Sequence, residues 1–299
     1  MSNLGLITSV RQRLQRIAKE SGQDFNSIQL RYVQERFLYR LSKSAYKNAF
    51  ILKGALLFVA FNVSTLRPTK DIDFLGNSVT NKLDDLKEIL KEICSIKYDD
   101  AVSFNNGDIE TSTITEGKEY SGVRAKITAS LGKAKITLWL DFGFGDKIVA
   151  GPVELDFPVL LDFESPNIKV YSLESAIAEK FEACVKLNFD TSRMKDFYDI
   201  NELATHNSFS LATLAEAIKE TFNARETDIK SQSVIFSDEF KNDASKEIQW
   251  KAFLRRTSLT SEFSFNEIVN RIELFIKTTT TENLASKEWN NNSWSWESK

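Results

Sequence analysis

The chain has 299 residues, enough for one large core or two modest ones. Charge is nearly balanced, 39 basic against 42 acidic residues, so net charge points neither toward nor away from nucleic acid, and only local clustering can. A single histidine, His206, and two widely separated cysteines, Cys94 and Cys184, exclude a zinc cluster and leave any catalysis to carboxylates and lysines. Both cysteines fall in apolar helical patterns and are expected as buried free thiols of a reducing compartment. No apolar run approaches a membrane span and no signal-peptide core follows Met1, so the expectation is a cytoplasmic protein.

In chain order, Leu6, Val10, Leu14 and Ile17 recur at helical spacing, and a second amphipathic helix covers 27–42 through Ile28, Tyr32, Phe37, Leu38 and Leu41. Their basic residues read as a solvated face, and the pair is expected as a packing layer. The stretch from Phe50 to Gly76 then organises the chain. An apolar strand end leads to Lys53-Gly54-Ala55, an apolar run to Phe61, a polar connection with Pro68, and a short apolar segment carrying Asp71-Ile72-Asp73. A strand places Asp71 and Asp73 on one face, with Ile72 and Phe74 on the other. Two adjacent carboxylates repel unless a cation sits between them, and oxygen-only ligation suits Mg²⁺ shared with substrate phosphates. Gly54 is expected to let a phosphate approach the N–H groups opening the next helix.

Leu52-Lys53-Gly54-Ala55 with Arg67-Pro68-Thr69-Lys70-Asp71-Ile72-Asp73 resembles the AbiEii/AbiGii toxin family, within the polymerase-beta-like nucleotidyltransferase superfamily. The resemblance implies Mg²⁺-dependent transfer of a nucleotidyl group from a nucleoside triphosphate to an acceptor hydroxyl. Asp71 and Asp73 would hold the metal, and Lys53, Gly54, Ala55 and Arg67 would bind the nucleotide. This chain has Gly54-Ala55 where many superfamily members have Gly-Gly or Gly-Ser, leaving backbone amides rather than a hydroxyl for phosphate.

Leu83, Leu86, Leu90 and Ile93 mark a helix ending near Lys97, and 98–117 reads as polar and loop-like with short strands around Val102 and Ile109. Val123 to Leu131 and Ala134 to Phe142 alternate strictly around Gly132-Lys133, a two-residue turn of the Gly-first kind. That turn predicts Ala129 opposite Ile136, Ile127 opposite Leu138, Ala125 opposite Leu140 and Val123 opposite Phe142. On the other face it predicts Thr128 opposite Thr137, Lys126 opposite Trp139, and Arg124 opposite Asp141. Asp141 reads either as a cross-strand ion pair with Arg124 or as the third carboxylate beside Asp71 and Asp73. The resemblance, through Leu140-Asp141-Phe142-Gly143-Phe144-Gly145-Asp146, favours the second, with Asp146 the lesser alternative.

Residues 147–170 hold three of the four prolines and read as an irregular crossing where a domain boundary falls. Ser172 is a plausible cap for a helix with the stripe Leu173, Ile177, Phe181, Cys184 and Leu187. Lys180, at the edge of that stripe, reads on its own as a snorkelling lysine. The signature-like run Ala176 to Ala183 implies instead a ligand of the triphosphate, and Met194-Lys195-Asp196-Phe197-Tyr198-Asp199 brings Asp196 and Asp199 to the cleft as partners of Lys180 or of the nucleotide. Helices are expected at 210–223, 236–254 and 264–279, and Asn290 to Lys299 as a mobile tail.

The expected fold is α/β (α+β): a small mixed sheet with flanking helices in 1–165, a helical domain in 166–289, and the tail. The resemblance implies a toxin of a toxin–antitoxin or phage-defence pair with a repressor-like antitoxin as partner. RNA (a tRNA end), a protein side chain and a small molecule compete as acceptor, and a non-catalytic binding module of the same fold is the alternative class. The basic hairpin face, with Arg124, Lys126, Lys133 and Lys135 around Trp139 and Lys118 before it, favours RNA.

Overall fold

The computed structural model describes residues 3–63, 69–116, 120–280 and 286–298. They divide into two compact units, one within 1–62, 68–145 and 153–170, the other within 63–67, 146–152 and 171–299. Among them no helix is long and apolar enough to cross a membrane.

In the first unit, α1 (Asn3–Ser21) and α2 (Phe25–Lys43) precede β1 (Phe50–Lys53), the short α3 (Leu56–Ala60), β2 (Asp71–Gly76) and α4 (Leu83–Ser95). Then come β3 (Val102–Glu116), β4 (Tyr120–Leu131), β5 (Ala134–Phe144), β6 (Val153–Asp156) and β7 (Asn167–Val170). The strands form one seven-stranded mixed sheet in the order β3-β4-β5-β2-β1-β7-β6. β5 runs parallel to β2 and β7 parallel to β1, while β1 and β2 are antiparallel. One sheet face is apolar. Val10, Leu14, Tyr32 and Val33 from α1 and α2 pack against Ala129 and Leu131 of β4, so the N-terminal pair is the expected packing layer. Further along, Phe74 and Phe142 stack at 5.5 Å between centroids, with Phe50 5.1 Å from Phe142. Within this core Arg40 grips Asp100 with two hydrogen bonds of 2.7 and 3.1 Å, a buried pair whose partners satisfy each other.

The β4–β5 register is the one the alternation predicts, pair by pair from Val123–Phe142 to Ala129–Ile136, with Gly132 in the left-handed region at φ +63°. The segment 98–117 departs from expectation. It is mostly one long strand, β3, and not a loop with two short strands. Its alternation is hidden because the pairing with β4 slips between Asn105 and Glu110, where the Asn105 side chain accepts from the Gly107 N–H in place of a ladder bond.

The second unit contains α5 (Leu173–Leu187), α6 (Met194–His206), α7 (Leu211–Ala224), α8 (Gln232–Ile235), α9 (Asp238–Lys241), α10 (Ala244–Thr257) and α11 (Phe265–Lys277). Side-chain caps set their starts: Ser172 accepts from Ser175 N–H, as expected, and Ser264 with Glu267 closes a capping box on α11. The single helix expected over 236–254 is broken before Asp243, which caps α10. Strand β7 belongs to the sheet, so the contacts divide after Val170 and not at 165, and residues 146–152 go with the helical unit. The tail is also different from its expectation. Lys287–Asn290 (β8) and Ser295–Ser298 (β9) form a hairpin, in which Trp289 is buried with its indole N–H on Ala204 O at 2.8 Å and its ring 4.8 Å from Phe275. The aperiodic Asn, Ser and Trp pattern concealed this because the tryptophans are held by tertiary packing, not by an alternating strand face.

Candidate active site

The polar face of the first unit's sheet carries the acids. Register sets Lys53 beside Asp73, Asp73 beside Asp141 and Asp141 beside Arg124 across β1, β2, β5 and β4. Two residues along each strand, Asp71 lies beside Trp139 and Trp139 beside Lys126. In-register neighbours point to one side of a sheet, so these residues form two adjacent rows on one surface.

Asp71, Asp73 and Asp141 each bring one carboxylate oxygen to within 4.8 Å of the others, all three half-buried. Thr69 Oγ1 donates to Asp71 Oδ1 at 2.8 Å and fixes its rotamer. Arg124 holds Asp141 in a bidentate pair, Nε to Oδ1 at 2.7 Å and an η nitrogen to Oδ2 at 2.6 Å. The hydrogen bond to Asp141, against partial desolvation, raises the Arg124 pKa above its ordinary value, and the charges of Asp141, Asp71 and Asp73 add to it. Asp141 is thus both the cross-strand partner of Arg124 and the third member of the acid cluster. The donors are hard oxygens from three separate side chains, a set that fits a divalent cation such as Mg²⁺.

Gly54 has a further task that its position did not suggest. Its φ is +68°, and a Cβ there would lie 1.8 Å from Asp73 Oδ2. The bare glycine backbone is the floor on which the Asp73 carboxylate sits. Beyond it α3 has only five residues, and the N–H groups of Leu57 and Phe58 already donate to Gly54 O and Ala55 O at 3.2 Å. Ala55 is buried at the start of that helix. Arg67, expected as a nucleotide ligand, lies outside the described residues.

A second cluster belongs to the helical unit. Lys180 Nζ on α5 donates to Asp196 Oδ1 at 3.1 Å and to Asp199 Oδ2 at 2.6 Å, both on α6. Arg193 Nε reaches Asp196 Oδ2 at 2.5 Å. Asp196 and Asp199 are almost fully buried, and the Lys180 side chain is only 13% exposed. Burial alone would push the Asp196 carboxyl up; Lys180 and Arg193 outweigh it and hold it at about 2. Lys180 is therefore no snorkelling lysine. Asp146, the alternative third acid, is engaged in the same unit, 3.1 Å from Arg225, which also pairs with Glu179 and Glu182.

The pattern of the AbiEii family, nucleotidyl transferase toxins of type IV toxin–antitoxin systems, matches residues 36–271. This chain belongs to that family. The match spans both the acid cluster and the Lys180 cluster, and the protein is an AbiEii-family nucleotidyltransferase. Two solved structures resemble it more distantly. JHP933 from Helicobacter pylori is 17% identical, with 85% of this chain and 91% of that one covered, at a TM-score of 0.45. A candidate nucleotidyltransferase from H. pylori is 18% identical, with 85% and 93% covered, at a TM-score of 0.46. No curated protein matches.

Two contributing residues of this AbiEii-family enzyme, and one role, were not legible in the sequence. Thr69 carries a local signal, a hydroxyl two residues before a carboxylate. Arg193 does too, standing three residues before Asp196 at a helix start. The role of Gly54 as the seat of Asp73 has none, because the two meet only through strand pairing.

Proposed function

We propose that this enzyme transfers a nucleoside monophosphate from a nucleoside triphosphate to a hydroxyl of RNA, with Mg²⁺ bound by Asp71, Asp73 and Asp141. The observation that carries the reading is the convergence of these three carboxylates on one sheet face. Carboxylates brought this close repel one another, and a divalent cation bound among them relieves that repulsion. When bound, Mg²⁺ supplies Lewis-acid stabilisation of the charge that builds on the phosphoryl and leaving oxygens.

The chain's own residues do the rest. Thr69 orients Asp71, and the Gly54 backbone seats Asp73. Asp141, held in one orientation by Arg124, is assigned to accept the proton of the attacking hydroxyl or to complete the ligand set. In the first unit Lys53, Gly54 and Ala55 are assigned to the triphosphate; Arg67 and, within the helical unit, Lys180, whose ammonium Asp196 and Asp199 hold, are each assigned to nucleotide binding. RNA is favoured as acceptor by the open basic face on β4 and β5, where Lys133 and Lys135 are exposed and Lys126 half-buried. In the cell the chain acts as the toxin of its pair, with a repressor-like antitoxin as partner.

Asp73→Asn tests the core of this reading. It removes one ligand charge while keeping shape, so labelled-nucleotide transfer should fall further than the roughly 10–100-fold expected for loss of an outer partner. Circular dichroism and melting should stay parental. A well-folded variant within a few-fold of the parent would overturn the assignment.

A further inference from the structure

Trp139 is the one large apolar side chain that the two site rows place on the polar face, and it is 36% exposed. The core does not require it there, since the apolar residues of β5, Leu138, Leu140 and Phe142, face the other way and are buried. Its register neighbours are Asp71 on one side and Lys126 on the other, and the Arg124 guanidinium carbon lies 5.7 Å from its ring centroid. Lys126 meets Glu110 at 2.9 Å in a pair whose glutamate is 68% exposed, a weak surface contact that a phosphate can replace. A flat aromatic with cations beside it, one strand from a carboxylate cluster, has the chemistry that recognises a nucleobase and its backbone.

The strand order separates the two flanks of the acid row. Asp71 and Asp73 lie on β2 between β1, with Lys53 and Gly54, and β5, with Trp139. In-line displacement puts the attacking and leaving oxygens on opposite sides of the phosphorus, so donor and acceptor need opposite flanks. With the triphosphate assigned to the β1 flank, the β4–β5 flank is left for the acceptor.

We propose that Trp139 is a stacking platform for the terminal nucleobase of a single-stranded RNA acceptor, with Lys126 taking the adjoining phosphate. The inference rests on the RNA-acceptor reading above and adds to it a subsite and a contact.

The test compares parent, Trp139→Ala and Trp139→Phe on two oligoribonucleotides, one intact and one whose terminal nucleotide lacks its base but keeps its hydroxyls. Loss of base stacking should raise the RNA KM of Trp139→Ala about 5- to 100-fold, with kcat and the triphosphate KM little changed. Trp139→Phe should retain most of the affinity. The abasic RNA should suffer the same loss with the parent and no further loss with Trp139→Ala, in transfer and in fluorescence anisotropy binding alike. If Trp139→Ala melts early, Trp139→Leu, which keeps apolar bulk without a ring face, gives the same comparison. An unchanged RNA KM, losses that multiply, or a rise confined to the triphosphate KM would each overturn the platform. A parent that labels protein or a small molecule and no RNA overturns the acceptor reading itself, a result seen before any variant is made.

Discussion

Gly54 shows how much one missing Cβ can decide. Gly54→Ala should strain a left-handed backbone by about 1–2 kcal/mol and, more seriously, push the Asp73 carboxylate off its seat. Calorimetric Mg²⁺ titration should therefore show metal affinity lost far beyond what the drop in melting temperature explains; parental affinity would refute the seat. Lys180 is the opposite case, a charge that the structure needs. Lys180→Met leaves Asp196 and Asp199 buried with one counter-ion fewer and should destabilise by about 3–5 kcal/mol at neutral pH, not by the small amount a snorkelling lysine would lose. Lys180→Arg, which keeps the charge, is the cleaner probe of triphosphate binding. The pH dependence follows from the depressed Asp196 pKa. In the parent its stabilisation is complete above the ordinary value of 3.8 and is lost as pH falls through about 2. Lys180→Met removes the largest of the charges that hold the Asp196 carboxyl down, so it should take up a proton at higher pH. Urea denaturation should then show the gap between parent and variant narrowing as pH falls. At this scale the sequence disclosed Asp71 and Asp73 through the two-residue period of a strand, but not the burial of Lys180, which depends on two helices packing.

The β4–β5 hairpin is the element whose register could be read before folding, because both strands alternate without interruption and a two-residue turn permits one pairing. It carries the prediction about the acceptor. Replacing Lys126, Lys133 and Lys135 by Ala should flatten the salt dependence of RNA transfer, lowering the log–log slope by about 2 if each lysine meets one phosphate of a single strand. Triphosphate affinity should barely move. A triple variant that modifies RNA as well as the parent at every salt concentration would remove this face from the RNA path. β3 beside it was illegible for the complementary reason: a slip in pairing erases the alternation on which any reading of a strand depends.

For the whole molecule, the two units make separate predictions possible. Trp289 anchors the C-terminal hairpin to α6 and α11 through one hydrogen bond and the face of Phe275. Trp289→Ala should destabilise the helical unit by about 3–5 kcal/mol in denaturant unfolding, while Mg²⁺ titration at the acid cluster stays parental. Equal stability of variant and parent would return the tail to the mobile state its composition suggested.

What lies within one element or one turn was legible in the chain alone: which residues share a strand face, the hairpin register, the Ser172 cap on α5, and the AbiEii motifs. That Asp141 stands beside Asp73, that Gly54 lies beneath it, and that Lys180 is enclosed by two carboxylates came from packing between elements. Periodicity reports the side of a strand on which a residue points. Which strands become neighbours is set by the burial of an entire sheet face, and β2 and β5 meet in parallel only after α4, β3 and β4 have been laid down between them.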